Sequence, residues 1–513
     1  MSTTELTTAD PIDDATDLAT FGYGQQLRRG IGVYGSFAAG FSFVSILTTV
    51  FQLFFFGYSF GGPRFFWTWP IVLAGQLLVA LCFAELAARY PISGAIYQWA
   101  TRLGGRLWGW TAGWLMMVAQ VVTLAGAAIA LQVVLPSIWS GFQIVSGDPS
   151  LTSTSGAANA VVLGVILLVV TTTLNAIGVR LTSMINSVGV SCELVGVTLL
   201  CIALFSHARR GPGILLNTAG IGGTGAGYLA SFAISALMAA YVLVGFDSAG
   251  ELSEETRDPR RTAPRTILRA VIVSGIGGAA MLIATLMAAN SVTDGSLGDP
   301  ARGLPYVLTS RLGDTLGRVF LVDVAIAISV CTLAIHTAAT RMVFSMARDH
   351  ALPLSRALSK VNRRTGTPIR PALLIGVLAA ALLLVNVGNA ALFTTLASVC
   401  IMLLYLAYLM VTTPLLLRRR AGWATEEGGR RLFSLGRWAV PVNVLAVVWG
   451  LGMAVNLGWP RAEVFDPSGG HWYLRWFAVL FLLLALVLGA IAYVTRTSRR
   501  AAQLSTMELA AAE

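Results

Sequence analysis

Two acidic residues stand in stretches that are otherwise apolar. Glu193 lies in the middle of Val190-Ser191-Cys192-Glu193-Leu194-Val195-Gly196, and Asp247 follows a long apolar run in Gly245-Phe246-Asp247-Ser248-Ala249-Gly250-Glu251. An unpaired charge in hydrocarbon is costly, so an acid in such a run must be paired, stay protonated, or trade its proton between two sides. Glu193 is the candidate proton-coupling group, with a paired or permanently protonated acid as the competing reading. Asp247 is a second candidate for coupling, for pairing an amine, or for capping a helix that starts beside it. Asp323 reads as a structural acid near an outer helix end, and His336 as a satisfied core histidine or a proton shuttle.

Two polar interruptions accompany these acids. The run from Ile31 to Tyr58 carries Gly35, Gly40, Ser36, Ser42 and then Ser45-Ile46-Leu47-Thr48-Thr49, and the run from Tyr228 turns polar after Val244. Both read as helices that break partway. A broken helix offers positive amide ends to a carboxylate and carbonyl ends to an ammonium without using a side-chain charge. The candidate substrate cradle is therefore the backbone of Ser45, Ile46, Leu47, Thr48 and Thr49 together with Val244, Gly245, Phe246, Asp247 and Ser248. The alternative is that these hydroxyls only bond within their own helices. Tyr241, one turn before the second break, is a candidate gate that could give an amine a cation–π contact, or a ring that only packs; Phe246 is a second candidate for that contact. Enzymatic chemistry has little support. The four histidines (His207, His336, His350, His471) are dispersed, the five cysteines lie in apolar runs, and no nucleophile–base or metal-ligand spacing occurs. No catalytic residue, cofactor or metal is expected.

Composition sets the medium in which these groups work. Of 513 residues only 12% are charged and 56% are hydrophobic, against about 25% charged in a soluble domain. Many apolar runs reach the length of a bilayer crossing. The chain is expected to be an all-α polytopic membrane protein with twelve spans, near 31–58, 65–86, 108–134, 157–178, 181–205, 227–250, 266–290, 316–342, 371–388, 391–417, 438–459 and 473–494. Residues 1–30 read as a flexible cytoplasmic tail, 31–495 as the transmembrane domain, and 496–513 as a cytoplasmic C-terminal tail. With the N-terminus inside, 27 of the 35 basic residues fall on the inner side and eight on the outer, which places both termini in the cytoplasm. The net charge of +11 is then topology rather than nucleic-acid binding. Arginine supplies every basic group but Lys360, a GC-rich usage that points to a bacterial inner (plasma) membrane.

Three passages resemble those of a known family. Ala84-Glu85-Leu86-Ala87-Ala88-Arg89-Tyr90-Pro91-Ile92-Ser93-Gly94-Ala95-Ile96-Tyr97-Gln98-Trp99 follows the second span. Gly245 to Pro259 contains Asp247, Glu254-Glu255-Thr256 and Pro259, and Thr340-Arg341 runs on to Ala347-Arg348-Asp349-His350-Ala351-Leu352-Pro353. In this order they are similar to passages of the amino acid–polyamine–organocation superfamily, within it the amino acid/choline branch that includes GABA permeases. The resemblance implies a LeuT-type fold, with a 5+5 inverted repeat plus two C-terminal helices and breaks in the first and sixth. It also implies secondary active transport of an amino acid or related amine such as GABA, by alternating access through a central site. Where relatives carry a lysine or other polar group at a sodium position, this chain has Glu193, which favours protons over sodium. Many relatives carry a glycine-rich break in the first helix; this chain has Ser45-Ile46-Leu47-Thr48-Thr49 there, which keeps choline, polyamines and other amines without a carboxylate open. An exchanger, or a transporter-like nutrient sensor, is a further alternative, acting as a monomer or homodimer in the lipid bilayer. Glu85, Arg89, Glu254, Glu255, Arg341, Arg348 and Asp349 cluster on the cytoplasmic side, as an inner-gate ion-pair network or as anchors of helix ends.

Overall fold

A computed structural model of the chain describes residues 18–512 except 152, 223–224, 294, 301, 386–391, 422–431 and 466–468. The principal helices are α1 (Val33–Val44), α2 (Ile46–Gly61), α3 (Thr68–Arg89), α4 (Ala95–Gly104), α5 (Arg106–Ile129), α6 (Thr154–Ile177), α7 (Val179–Ser206) and α8 (Ala226–Val242). They continue with α9 (Ser248–Glu251), α10 (Pro259–Ala288), α11 (Gly303–Arg348), α12 (Ile369–Val385), α13 (Leu392–Arg420), α14 (Ala439–Gly458) and α15 (Phe477–Ala512). In hydrocarbon a helix satisfies its own backbone polar groups, which is why long apolar runs fold this way. Among the described residues nine segments are long and apolar enough to cross a membrane; one of them, Val33–Arg89, contains α1, α2 and α3. Gly227–Val242 and Ile369–Val385 are apolar but shorter. The chain is a polytopic helical membrane protein.

The first expected span is interrupted at a single residue. Ser45 has φ 33° and ψ 90°, its amide closes α1 on the Phe41 carbonyl at 2.8 Å, and its own carbonyl receives the Thr49 amide of α2 at 3.0 Å. A positive φ on a residue with a Cβ costs about 1–3 kcal/mol and persists only where its surroundings hold it. The sixth expected span ends earlier than 250: α8 stops at Val242, and Leu243 to Asp247 lead into the short α9. Gly245 has φ +89°, and a Cβ there would lie 1.8 Å from the Phe43 ring. Only glycine fits both the turn and the contact. The expected span 316–342 is the inner part of α11, which kinks at Gly313 (φ 76°).

α1 packs on α7 and α10, α2 on α8 and α11, α5 on α11 and α13, and α3 on α10 and α14. The two interruptions thus lie inside the bundle. In the segment containing α5, 72% of the apolar window is buried, against 22% for α14 and 17% for α15, so the last two helices stand at the periphery. The described residues carry structure into both expected tails. Leu18 and Leu27 are buried, and residues 18–30 are pinned to the bundle by hydrogen bonds; residues 1–17 lie outside the described ones. At the other end α15 continues as a helix through Ala512, past the expected boundary at 495.

Candidate functional site

The break at Ser45 is held by a carboxylate from another helix. Glu193, on α7 and wholly buried, accepts the Ser45 hydroxyl and the Leu47 amide on one oxygen, each at 3.0 Å. Leu47 is the second residue of α2, where backbone N–H groups have no partner within the helix. Glu193 therefore caps α2 with a carboxyl oxygen at the helix end that favours negative charge. Ser45 Oγ also lies 2.7 Å from Thr48 Oγ1, while the Thr49 hydroxyl donates to the Ser45 carbonyl at 2.7 Å. These contacts explain why Ser45 can hold a left-handed backbone.

The second break meets the first. The Ser248 hydroxyl donates to the Ala39 carbonyl of α1 at 3.2 Å, and Gly40 of α1 lies close to Ala249 and the Phe246 carbonyl. Asp247 accepts a very short hydrogen bond from the Tyr408 hydroxyl of α13, and the Gly245 amide donates to that same hydroxyl oxygen at 3.0 Å. Asp247 Oδ2 is buried and has no hydrogen-bond partner among the described residues. Phe246 and Phe83 pack around Tyr408, with ring centroids 5.5 and 4.9 Å from it.

A small enclosed cavity of about 10 Å³, the size of one water, lies beside the first break. Thr48, Thr49, Gln52, Tyr241 and Val244 line it with Phe43, Thr123 and Cys331. Gln52 donates to the Gly126 carbonyl at 3.1 Å, and its Oε1 is buried without a hydrogen-bond partner. Of the expected cradle, Thr48, Thr49, Val244 and Tyr241 reach the cavity. Ile46 is buried against α10 at Gly277, and Ser45 and Leu47 are engaged by Glu193. Ser248 ties the second break to α1 and Asp247 ties it to α13; neither lines this void.

The acidic and basic residues expected on the cytoplasmic side do not form one cluster. Arg341 and Glu255 form a bidentate pair at 3.0 and 3.1 Å with both side chains fully buried, and Arg341 also donates to Asn175 at 3.0 Å. Arg348 and Glu254 form a second bidentate pair at 2.8 and 2.9 Å, and Glu254 accepts the Ser93 amide at 3.1 Å. Asp349 is in no ion pair among the described residues; it accepts the Tyr23 hydroxyl at 2.9 Å and the Gln98 amide at 3.0 Å. Glu85 stands apart from this network, paired with Arg419 of α13 and touched by the Ser434 hydroxyl at 3.3 Å. Arg89 lies over the ring of Tyr90, 6.0 Å from its centroid.

The N-terminal segment closes over this network. The Gly30 and Ile31 amides both donate to the Glu255 carbonyl at 3.0 Å, Gln25 reaches the Glu254 carbonyl at 3.1 Å, and the Arg348 guanidinium sits 4.0 Å above the Tyr23 ring. Burial, and secondarily the neighbouring Asp349 carboxylate, push the Tyr23 phenol above its ordinary 10. Arg102 faces the rings of Phe21, Tyr23 and Tyr90. Glu251, buried at the end of α9, faces the Gly94 and Ala95 amides at the start of α4 without closing a well-formed bond to either. The loop between α3 and α4 is thus held by α9, by Glu254 and by the Ser345 hydroxyl, which donates to the Ser93 carbonyl at 2.7 Å.

Sequence reasoning missed Tyr408, Glu251, Arg419 and the latch of Phe21, Tyr23 and Gln25. Tyr405 and Tyr408 interrupt an aliphatic run, and two aromatics sit in an otherwise polar N-terminal stretch; either signal points to these residues, though not to their partners. His336 donates from Nε2 to the Ala372 carbonyl at 2.9 Å and its Nδ1 lies 3.0 Å from the Thr171 hydroxyl, so both ring nitrogens have partners. Asp323 lies against Gly196 of α7, one turn from Glu193, and makes no ion pair with an outer arginine among the described residues.

Comparison with known proteins agrees with this architecture. The chain is 29% identical over 473 residues to the amino-acid permease BAT1 of Arabidopsis thaliana, covering 87% of this chain and 88% of that protein. It is 24% identical over 425 residues to a putative amino acid/polyamine transporter of Macrophomina phaseolina, covering 80% and 90%. It is 27% identical over 350 residues to the methylthioribose transporter of Bacillus subtilis, covering 65% and 72%. A family model described as amino acid permease matches residues 31–486. With that match over most of its length, the chain belongs to the amino acid permease family, whose members are membrane transporters and not enzymes.

Proposed function

We propose that this permease moves an amino acid, or a related amine such as GABA, across a plasma membrane by alternating access, driven by proton symport. The supporting observation is that two helix interruptions meet inside the bundle and a buried carboxylate, Glu193, is hydrogen-bonded to one of them. A group that must exchange its proton, placed on the hinge of a broken helix, ties protonation to helix position. In this reading the chain crosses the bilayer twelve times with both termini cytoplasmic. α1–α2 and α8–α9 are the equivalent broken helices of two inverted five-helix repeats, and α14 and α15 are appended. Tyr241 and Phe246 border the substrate and Asp247 serves its amine or the proton. The Glu254, Glu255, Arg341 and Arg348 pairs form the inner gate, which must part for release to the cytoplasm.

A second reading, an amine without a carboxylate such as choline or putrescine, is favoured by one observation. The amide end of α2 already holds a protein carboxylate. The test is uptake by purified protein in liposomes of labelled neutral amino acids, GABA, choline and putrescine, under an inward proton gradient without sodium. Accumulation of an amino acid supports the first reading and accumulation of choline or putrescine alone the second. Uptake that appears only with sodium refutes the proton assignment.

A further inference from the structure

The amide end of α2 is an anion seat with an occupant. Its helix is 16 residues long, and its Leu47 amide and the Ser45 hydroxyl converge on one oxygen of Glu193. The cavity beside it is lined by Thr48, Thr49 and Gln52, and Gln52 Oε1 is a buried acceptor that no hydrogen bond satisfies. The cavity therefore presents an acceptor that suits an ammonium, while the helix end beside it suits a carboxylate but is filled from within the protein. Two carboxylates at one helix terminus repel each other in a medium that screens little.

We propose that Glu193 is an internal competitor for the substrate carboxylate. The Ser45 hydroxyl and Leu47 amide hold either Glu193 or the carboxylate of an incoming amino acid, and the exchange takes place when a proton lands on the Glu193 carboxylate. A neutral carboxyl is a weaker acceptor than a carboxylate and no longer complements the positive helix end, so it yields its place. This rests on the amino acid reading above and deepens it: the order is proton first, substrate second, and the coupling is made by occupancy of one seat.

The groups around Glu193 leave it as the switch. Asp323 and Cys331 of α11 are the ionisable groups that face it; Cys331 donates to the Phe43 carbonyl at 3.7 Å. α6 has no ionisable residue, and on α1 the exposed Tyr34 bonds Ser191 rather than Glu193. On α10 the basic residues Arg261, Arg265 and Arg269 are exposed and Arg260 lies in its first turn. No cation therefore stands beside Glu193 among the described residues.

The test is equilibrium binding to purified protein between pH 6 and 8, using each amino acid with its decarboxylated counterpart: L-alanine and ethylamine, GABA and propylamine, L-arginine and agmatine. For a bound amino acid the apparent Kd is expected to rise with pH, by up to about tenfold per unit. It should be flat for the paired amine and flat for Glu193→Gln. On wild-type protein, in weak buffer with a pH indicator, amino acid binding is expected to take up a proton and amine binding none. Equal pH slopes in wild type and Glu193→Gln, the same slope for the amine, or no proton uptake would overturn the proposal. Proton-driven accumulation combined with pH-independent binding removes this inference and leaves the symport reading standing. Failure of every compound to bind or be transported removes both.

Discussion

For the inner gate proposed above, Arg348→Ala should loosen the closure without disturbing the centre. The substitution removes both hydrogen bonds of the pair with Glu254 and the guanidinium over Tyr23 at 4.0 Å. It leaves Glu254 buried with the Ser93 amide as its remaining donor among the described residues. Removing one partner of a buried pair costs about 3–5 kcal/mol, because the other charge stays desolvated. In an open form Glu254 meets water, so most of that cost falls on the closed form. At about 1.4 kcal/mol per tenfold, the low end shifts the closed-to-open ratio roughly a hundredfold. Hydrogen exchange reads this ratio directly, since amides exchange through the open form. Peptides covering 23–31 and 90–98, which contain the Gly30, Ile31 and Ser93 amides, should exchange about a hundredfold faster than in wild type, while a peptide around Glu193 keeps its rate. A double substitution of Arg348 and Glu254 by methionine should recover much of the protection, because no buried charge is left unpaired. Unchanged exchange in the first two peptides of a folded Arg348→Ala protein would refute the reasoning.

Three further outcomes follow from the same geometry. Tyr408→Phe takes away the donor to Asp247 and the acceptor of the Gly245 amide; it should lower stability by about 1–3 kcal/mol in thermal unfolding and reduce uptake. Gly245→Ala drives a Cβ into Phe43 at a positive φ; transport should be abolished, and adding Phe43→Ala should restore at most part of it because the backbone strain remains. Tyr23, whose phenol titrates above its ordinary 10, contributes its bond to Asp349 fully below that range and loses it only as pH rises through the elevated value. Between pH 6 and 9 wild type and Tyr23→Phe should therefore show parallel pH profiles of uptake, and a profile flattened by Tyr23→Phe would contradict this assignment.

The sequence showed where the chain is unusual better than what touches what. Glu193 and Asp247 were legible because an acid in an apolar run is costly and therefore conspicuous. The two interruptions were legible because serines, threonines and Gly245 stand where a spanning helix would be aliphatic. That Glu193 caps α2 was not legible: it depends on α7 crossing α1 at one height, which periodicity does not encode. The same holds for Glu85, whose partner Arg419 lies 334 positions away, and for Arg341, which meets Glu255 across the bundle. Residues 18–30 were misjudged for a physical reason. A polar stretch looks disordered by composition, yet Tyr23, Gln25 and the Gly30 and Ile31 amides find buried partners on the helices they close over.

The most direct measurement compares wild-type and Glu193→Gln protein in liposomes, following both accumulation under an inward proton gradient and counterflow exchange at equal pH. If Glu193 couples the proton to the helix break, Glu193→Gln keeps counterflow and loses gradient-driven accumulation. Accumulation at the wild-type level with counterflow intact would contradict the account.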